Sequence, residues 1–181
     1  MTDTRPVLVA YSSGTGNTEA VARAIAGSIP GSVLRKASEA GDLSAYRLVL
    51  LGFWIDMGVM SADAKAVMGS ASGTPLALFG TMGGDPTSPR FQSFLERVRG
   101  EAAASGADLL GIRMWRGRVS DDVVRMMQEA GMMTPEVEAR LKASASHPDQ
   151  TDLSEAGAWA AGILSTQRTP DGISASGRRG T

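Results

Sequence analysis

The chain has 181 residues, 43% of them hydrophobic and 20% charged, a make-up that fits one globular domain and excludes a disordered or collagen-like chain. Lys+Arg number 18 against 19 Asp+Glu, a net charge of -1, so neither nucleic acid nor an anionic membrane is an expected partner. No cysteine is present, which removes disulfides, thiolate nucleophiles and cysteine-ligated clusters from consideration.

Segments of two kinds alternate along the chain. VLVAY (Val7 to Tyr11) is a short apolar run of the sort that fills the middle of a sheet. SSGTGN follows, and then a helical stretch in which Val21, Ala24, Ile25 and Ile29 share one face. Thr18 is placed to cap that helix, and Glu19 is favourable in its first turn. SVLRK reads as a second strand and RLVLLGF (Arg47 to Phe53) as a third, with WIDMGVM as the loop after it. Ser61 is the expected N-cap of the next helix, SADAKAVMGSA. TPLALFG (Thr74 to Gly80) is a fourth strand and TMGGDPTSP a long loop. The helix beyond carries Phe91, Phe94, Leu95 and Val98 on its inward stripe, and ADLLGIRMW (Ala107 to Trp115) is a fifth strand.

From Arg116 the pattern is helical only: Val119 to Ala130, Pro135 to Ala145 and Leu153 to Ser165. One domain is therefore expected over residues 1–165, with 166–181, rich in Gly, Ser, Thr and Pro, as a disordered tail. The longest apolar run, LVLLGFWI, is too short to span a bilayer, and MTDTRP has no leader character, so the expected location is cytoplasmic.

Strand and helix in alternation with short connections predict an α/β fold, a parallel sheet with helices on both faces. Ligands of such sheets bind beyond the carboxyl ends of the strands. Three loops lie there: Ser12–Asn17, Trp54–Met60 and Thr81–Ser88.

The first of these has the chemistry of a phosphate site. It joins a strand to a helix N-terminus, where backbone N–H groups and the helix dipole favour an anion. Gly14 and Gly16 allow close backbone approach; Ser12, Ser13, Thr15 and Thr18 carry hydroxyls and Asn17 an amide. The loop has no Lys or Arg. GTGNTEA lacks the lysine of a nucleoside-triphosphatase loop, and Glu19 stands where a dinucleotide fingerprint has its third glycine. A phosphate monoester held by neutral donors fits best.

Ser13-Gly14-Thr15-Gly16-Asn17-Thr18 resembles the [TS]-x-T-G-x-T loop that holds the phosphate of FMN in flavodoxins, at every fixed position and directly after the first strand. The order of elements through Trp115 is similar too. The stretches FWIDMG and FGTMGGDP resemble those of a bacterial flavodoxin-like family distinct from the best-known carriers. The resemblance implies a doubly wound sandwich with a five-stranded parallel sheet in the order 2-1-3-4-5. It further implies FMN bound noncovalently and one- or two-electron transfer with a redox partner protein; no catalytic side chain or metal ligand is assigned. It assigns the ring to Phe53, Trp54, Ile55, Asp56, Met57 and Gly58 on one side and to Thr81, Met82, Gly83, Gly84 and Asp85 on the other.

Trp54 is then a candidate to stack on the isoalloxazine. The resemblance also implies a glycine-containing peptide that flips to accept the proton of flavin N5, and Gly58 allows such a flip. Asp56 is the nearest carboxylate, and main-chain N–H groups at Gly83 and Gly84 suit the pyrimidine edge. Two features depart from the pattern. The chain is nearly neutral where typical flavodoxins are acidic, and the helices after Trp115 exceed the single closing helix a minimal flavodoxin needs. An FMN-dependent reductase, with its substrate near Arg116 and Arg118, is the alternative. His147 has no companion cluster in sequence and reads as part of a turn.

Overall fold

The fully buried run Val7–Tyr11 forms strand β1, followed by helix α1 (Asn17–Ser28) and β2 (Val33–Lys36). Two short 3-10 turns lead to β3 (Leu48–Asp56). Next come β4 (Val59–Met60), α2 (Ala62–Gly69), β5 (Pro75–Met82), α3 (Pro89–Ala104) and β6 (Asp108–Arg116). Helices α4 (Asp121–Glu129), α5 (Pro135–Ser144) and α6 (Gln150–Thr166) complete the chain. The structure, a computed structural model, describes residues 3–167. Most of the tail expected over 166–181 lies outside those residues.

The strands pair in the order β2-β1-β3-β5-β6, all parallel. This is the anticipated five-stranded order with one addition: β4 pairs antiparallel with the end of β3. The third strand does not stop at Phe53. Trp54, Ile55 and Asp56 extend it, and Asp56 pairs with Val59 across a two-residue turn. Both turn residues, Met57 (φ 46) and Gly58 (φ 86), have positive φ, as the tightest hairpin turns require. Likewise Thr81 and Met82, expected in a loop, end β5, opposite Trp115 and Arg116.

A core lies on each face of the sheet. On one, α1 and α6 cover Val9, Leu50, Phe79 and Trp115 with Val21, Ile25, Ala156 and Ala160. On the other, α2 and α3 bring Val67, Met68, Phe91, Phe94 and Val98 to Leu8, Val49, Leu51 and Leu78. The strands read as unbroken apolar runs because both their faces are covered. Helix α4 is different: none of its residues is buried. Among the described residues no helix is long and apolar enough to cross a membrane.

The helix ends also depart from expectation. Ser120 and Thr134 accept from the backbone N–H of Val123 and Val137, capping α4 and α5. Helix α6 begins before Leu153, because Asp149 and Asp152 cap it reciprocally. Ser61 stands at the start of α2, but its hydroxyl makes no capping bond and is buried without a partner.

Candidate functional site

The strand order reverses between β1 and β3, and the crevice of a doubly wound sheet opens at that point. Two adjoining cavities lie there. The smaller, about 190 Å³, is lined by the Ser13–Thr18 loop, Trp54, Thr81 and the segment Arg118–Ser120. The larger, about 850 Å³, runs between Ile55 and Gly58 on one side and Met82–Asp85 on another, as far as α3 and α5. Ile55, Met82, Gly83, Val119 and Val123 border both.

The loop after β1 is held by its own side chains. Gly16 adopts φ 89, the left-handed conformation that places it as the N-cap of α1. Its N–H donates to Ser13 Oγ at 3.0 Å. Asn17 Nδ2 donates to Thr15 Oγ1 (3.1 Å) and to the Arg118 carbonyl (2.8 Å), tying the loop to the chain beyond β6. The amide of Asn17 is thus occupied within the protein. Ser13 and Thr15 accept these bonds, which leaves both hydroxyl protons for a ligand. The first N–H groups of α1 have no acceptor inside the helix.

Thr18 is not the cap that its sequence position suggests. It is 1% exposed, and its Oγ1 lies 2.9 Å from Thr81 Oγ1 and donates weakly to the Phe53 carbonyl at 3.4 Å. It joins α1 to the ends of β3 and β5 beneath the smaller cavity. Glycine makes that approach fit: a Cβ on Gly52 would fall 2.5 Å from the Phe79 ring and 3.0 Å from Thr18. Gly80 has the same role, since its Cβ would meet the Phe53 carbonyl at 2.6 Å.

The remaining predicted residues divide. Trp54 stands beside the Ser13–Thr18 loop, its indole 3.5 Å from where a Cβ on Gly14 would be, and it borders the smaller cavity only. Ile55, Gly58, Met82, Gly83, Gly84 and Asp85 border the larger one. Ser12, Gly16, Phe53, Asp56 and Met57 border neither. Phe53 is fully buried core and Met57 is 99% exposed at the hairpin tip. Asp85 accepts from the N–H and hydroxyl of Thr87. Those bonds hold its carboxyl below the usual range, and Arg116 adds to the effect.

The two arginines singled out at the end of the fifth strand, Arg116 and Arg118, each face a carboxylate at the rim of the cavities. Arg113 pairs with Glu155 at 3.0 Å and Arg118 with Asp121 at 2.5 Å; Arg116 stands 4.0 Å from Asp85. Sequence reasoning missed Arg90, Arg97 and Arg140, which line the larger cavity. Two of them lie on α3, whose inward stripe was legible, but nothing local brings α5 to the same opening. His147 does have acidic neighbours, Asp149 and Asp152. Asp152 Oδ2 takes His147 Nδ1 at 2.5 Å and the Asp149 N–H at 2.8 Å, so it is already committed to the start of α6.

Sheet order, switch-point crevice and neutral phosphate loop together define a flavodoxin-like protein. Residues 8–161 match the family model described as Flavodoxin domain, and the chain belongs to that family. A relative, the flavodoxin-like domain-containing protein BilS of Clostridioides difficile (strain CD3), is 27% identical over 168 residues, 87% of this chain and 95% of that one. Oxidised flavodoxin 2 from Bacillus cereus has a TM-score of 0.56 at 20% identity, over 89% of this chain and 99% of its own. A flavodoxin from the domain Archaea has a TM-score of 0.58 at 15% identity, over 91% of this chain and 99% of that one. At those identities the two solved structures share the fold.

Proposed function

We propose that this chain binds FMN noncovalently and carries electrons in the cytoplasm to or from a redox partner protein. The observation that supports this best is that the two cavities share a wall: a loop of neutral donors lines the smaller one, and Ile55, Met82, Gly83, Val119 and Val123 border both. The donor set fits the group. Ser13 and Thr15 offer hydroxyl protons and the start of α1 offers N–H groups to a phosphate monoester. Ile55 and Met82 offer apolar surface to a flat ring, and the glycine pair Gly83–Gly84 leaves main chain accessible at its polar edge. FMN, when bound, supplies one- or two-electron transfer; the protein binds it, orients it and limits its access to water.

Titration of the FMN-free chain with FMN, followed by anaerobic stepwise reduction read by absorption, tests the proposal. One FMN per chain and two separable one-electron steps are expected. Absence of binding overturns it. The alternative, an FMN-dependent reductase, draws support from the extent of the larger cavity beyond the two ring loops. Its mark is two-electron bleaching with turnover on NAD(P)H alone.

A further inference from the structure

The Ser13–Thr18 loop carries no cation, and Arg118, which borders the smaller cavity, is paired with Asp121; unpaired positive charge gathers at the larger cavity. Arg90 and Arg97 on α3 and Arg140 on α5 line the larger cavity, and none of the three forms an ion pair among the described residues. Most other cavity-side and neighbouring arginines have a carboxylate: Arg116, Arg118 and Arg125 stand against Asp85, Asp121 and Asp122. Arg97 spends one N–H on the Gly58 carbonyl (2.8 Å), and its guanidinium lies 5.4 Å from the centre of the Phe94 ring. Arg90 and Arg140 have no hydrogen-bond acceptor among the described residues.

Arg90 is also at the end of its helix where a cation is least favoured. Pro89 opens α3, so Arg90 is in the first turn, beside the positive end of the helix dipole, and that turn has no acidic residue. Charge and dipole therefore add rather than cancel on this wall. Asp85 is the one carboxylate on the lining, and its Oδ1 is taken by Thr87 with Arg116 nearby. The floor between these cations is apolar: Phe91, Phe94, Met127 and Leu141.

We infer that the half of the larger cavity between α3 and α5 is a binding site for an organic carboxylate with a flat apolar body, seated beside the flavin. The apolar body would lie against Phe91, Phe94 and Leu141, and the carboxylate would meet Arg90 and Arg140. Guanidinium groups suit it because their donors match the two oxygens of a carboxylate. The inference rests on the FMN reading for what occupies the other half, between Ile55 and Met82–Asp85, and so names the ligand class that would approach the ring.

The probes are 2-naphthoate and its neutral counterpart 2-naphthamide, titrated calorimetrically into the FMN-loaded full chain. The expected result is tighter binding of the naphthoate by about tenfold or more, as one charge-assisted contact provides. In the double variant Arg90→Gln/Arg140→Gln, both positions being exposed, the two probes should bind alike while FMN stoichiometry stays at one. Equal binding to the native chain, no binding of either probe, discrimination that survives in the variant, or displacement of FMN by naphthoate would each overturn the inference. Displacement leaves the FMN proposal standing. A native chain that does not load FMN sinks that proposal instead, and probe discrimination measured on the same chain still decides for or against the arginines.

Discussion

The two ends of the crevice are built differently. At the end lined by the Ser13–Thr18 loop the side chains brace one another: Ser13 holds the Gly16 N–H, Asn17 spans Thr15 and Arg118, and Thr18 is sealed between strand ends. At the larger cavity the walls include Gly58 at an exposed hairpin tip, a helix, α4, with no buried residue, and three arginines without ion pairs among the described residues. The first end is preorganised, so a ligand meets donors whose ordering cost was met on folding. The second can adjust. On the FMN proposal, the braced end would hold the phosphate and the adjustable end would leave the ring accessible.

If that contrast holds, substitutions at the phosphate end cost both stability and affinity where the side chain is buried, and affinity alone where it is exposed. Thr18→Val should have the largest effect. It keeps the shape but leaves the Thr81 hydroxyl without its 2.9 Å partner. A buried hydroxyl so stranded costs about 1–3 kcal/mol, measurable by urea unfolding of the FMN-free chain, and FMN affinity should fall as the loop loosens. Unchanged unfolding would mean that the strand ends are not braced through this residue. Thr15→Val comes next. Thr15 is exposed and takes a bond only from Asn17, so unfolding should be unchanged while FMN binding weakens by about 1.5–3 kcal/mol, the worth of a hydrogen bond to a charged group. Equal affinity would show that the Thr15 hydroxyl does not reach the phosphate.

The same contrast explains what was legible in the sequence. Continuous apolar runs such as Val7–Tyr11 and Leu48–Phe53 announce a doubly covered sheet, because a strand buried on both faces has no other pattern available. The loop after β1 was legible as a strand-to-helix turn at the crevice because its signals are local, with glycines, hydroxyls and a helix start within six residues. The end of β3 was not. Trp54 to Asp56 lie past the buried run, and their strand character comes from pairing with Val59 and Met60, a tertiary fact. Thr18 misled for a related reason. A threonine one residue inside a helix has the composition of a cap, and only the position of Thr81, 63 residues away, shows that its hydroxyl turns inward. The arginines of the larger cavity converge from α3 and α5, elements far apart in the chain, and no spacing rule links them.

The smallest effect is expected at the hairpin tip, where Gly58 has φ 86 and a Cβ would find no atom within 4 Å. Gly58→Ala therefore has no steric component, and its cost is that of an L-residue in the left-handed region, about 1–2 kcal/mol. Arg97 holds the Gly58 carbonyl at 2.8 Å, which ties down the peptide after Gly58 but not the Met57–Gly58 peptide before it. Strain introduced at φ should be relieved by Asn, which tolerates this region better than Ala. Gly58→Asn is thus expected to recover most of the lost stability, whereas a merely crowded site would reject Asn more strongly than Ala. The potentials of the two one-electron steps, measured by redox titration of the FMN-loaded variants, should follow the same order if the tip peptide touches the flavin. Stability that changes with no movement in either potential would place the tip outside the flavin's reach and leave Met82–Asp85 as the wall that tunes it.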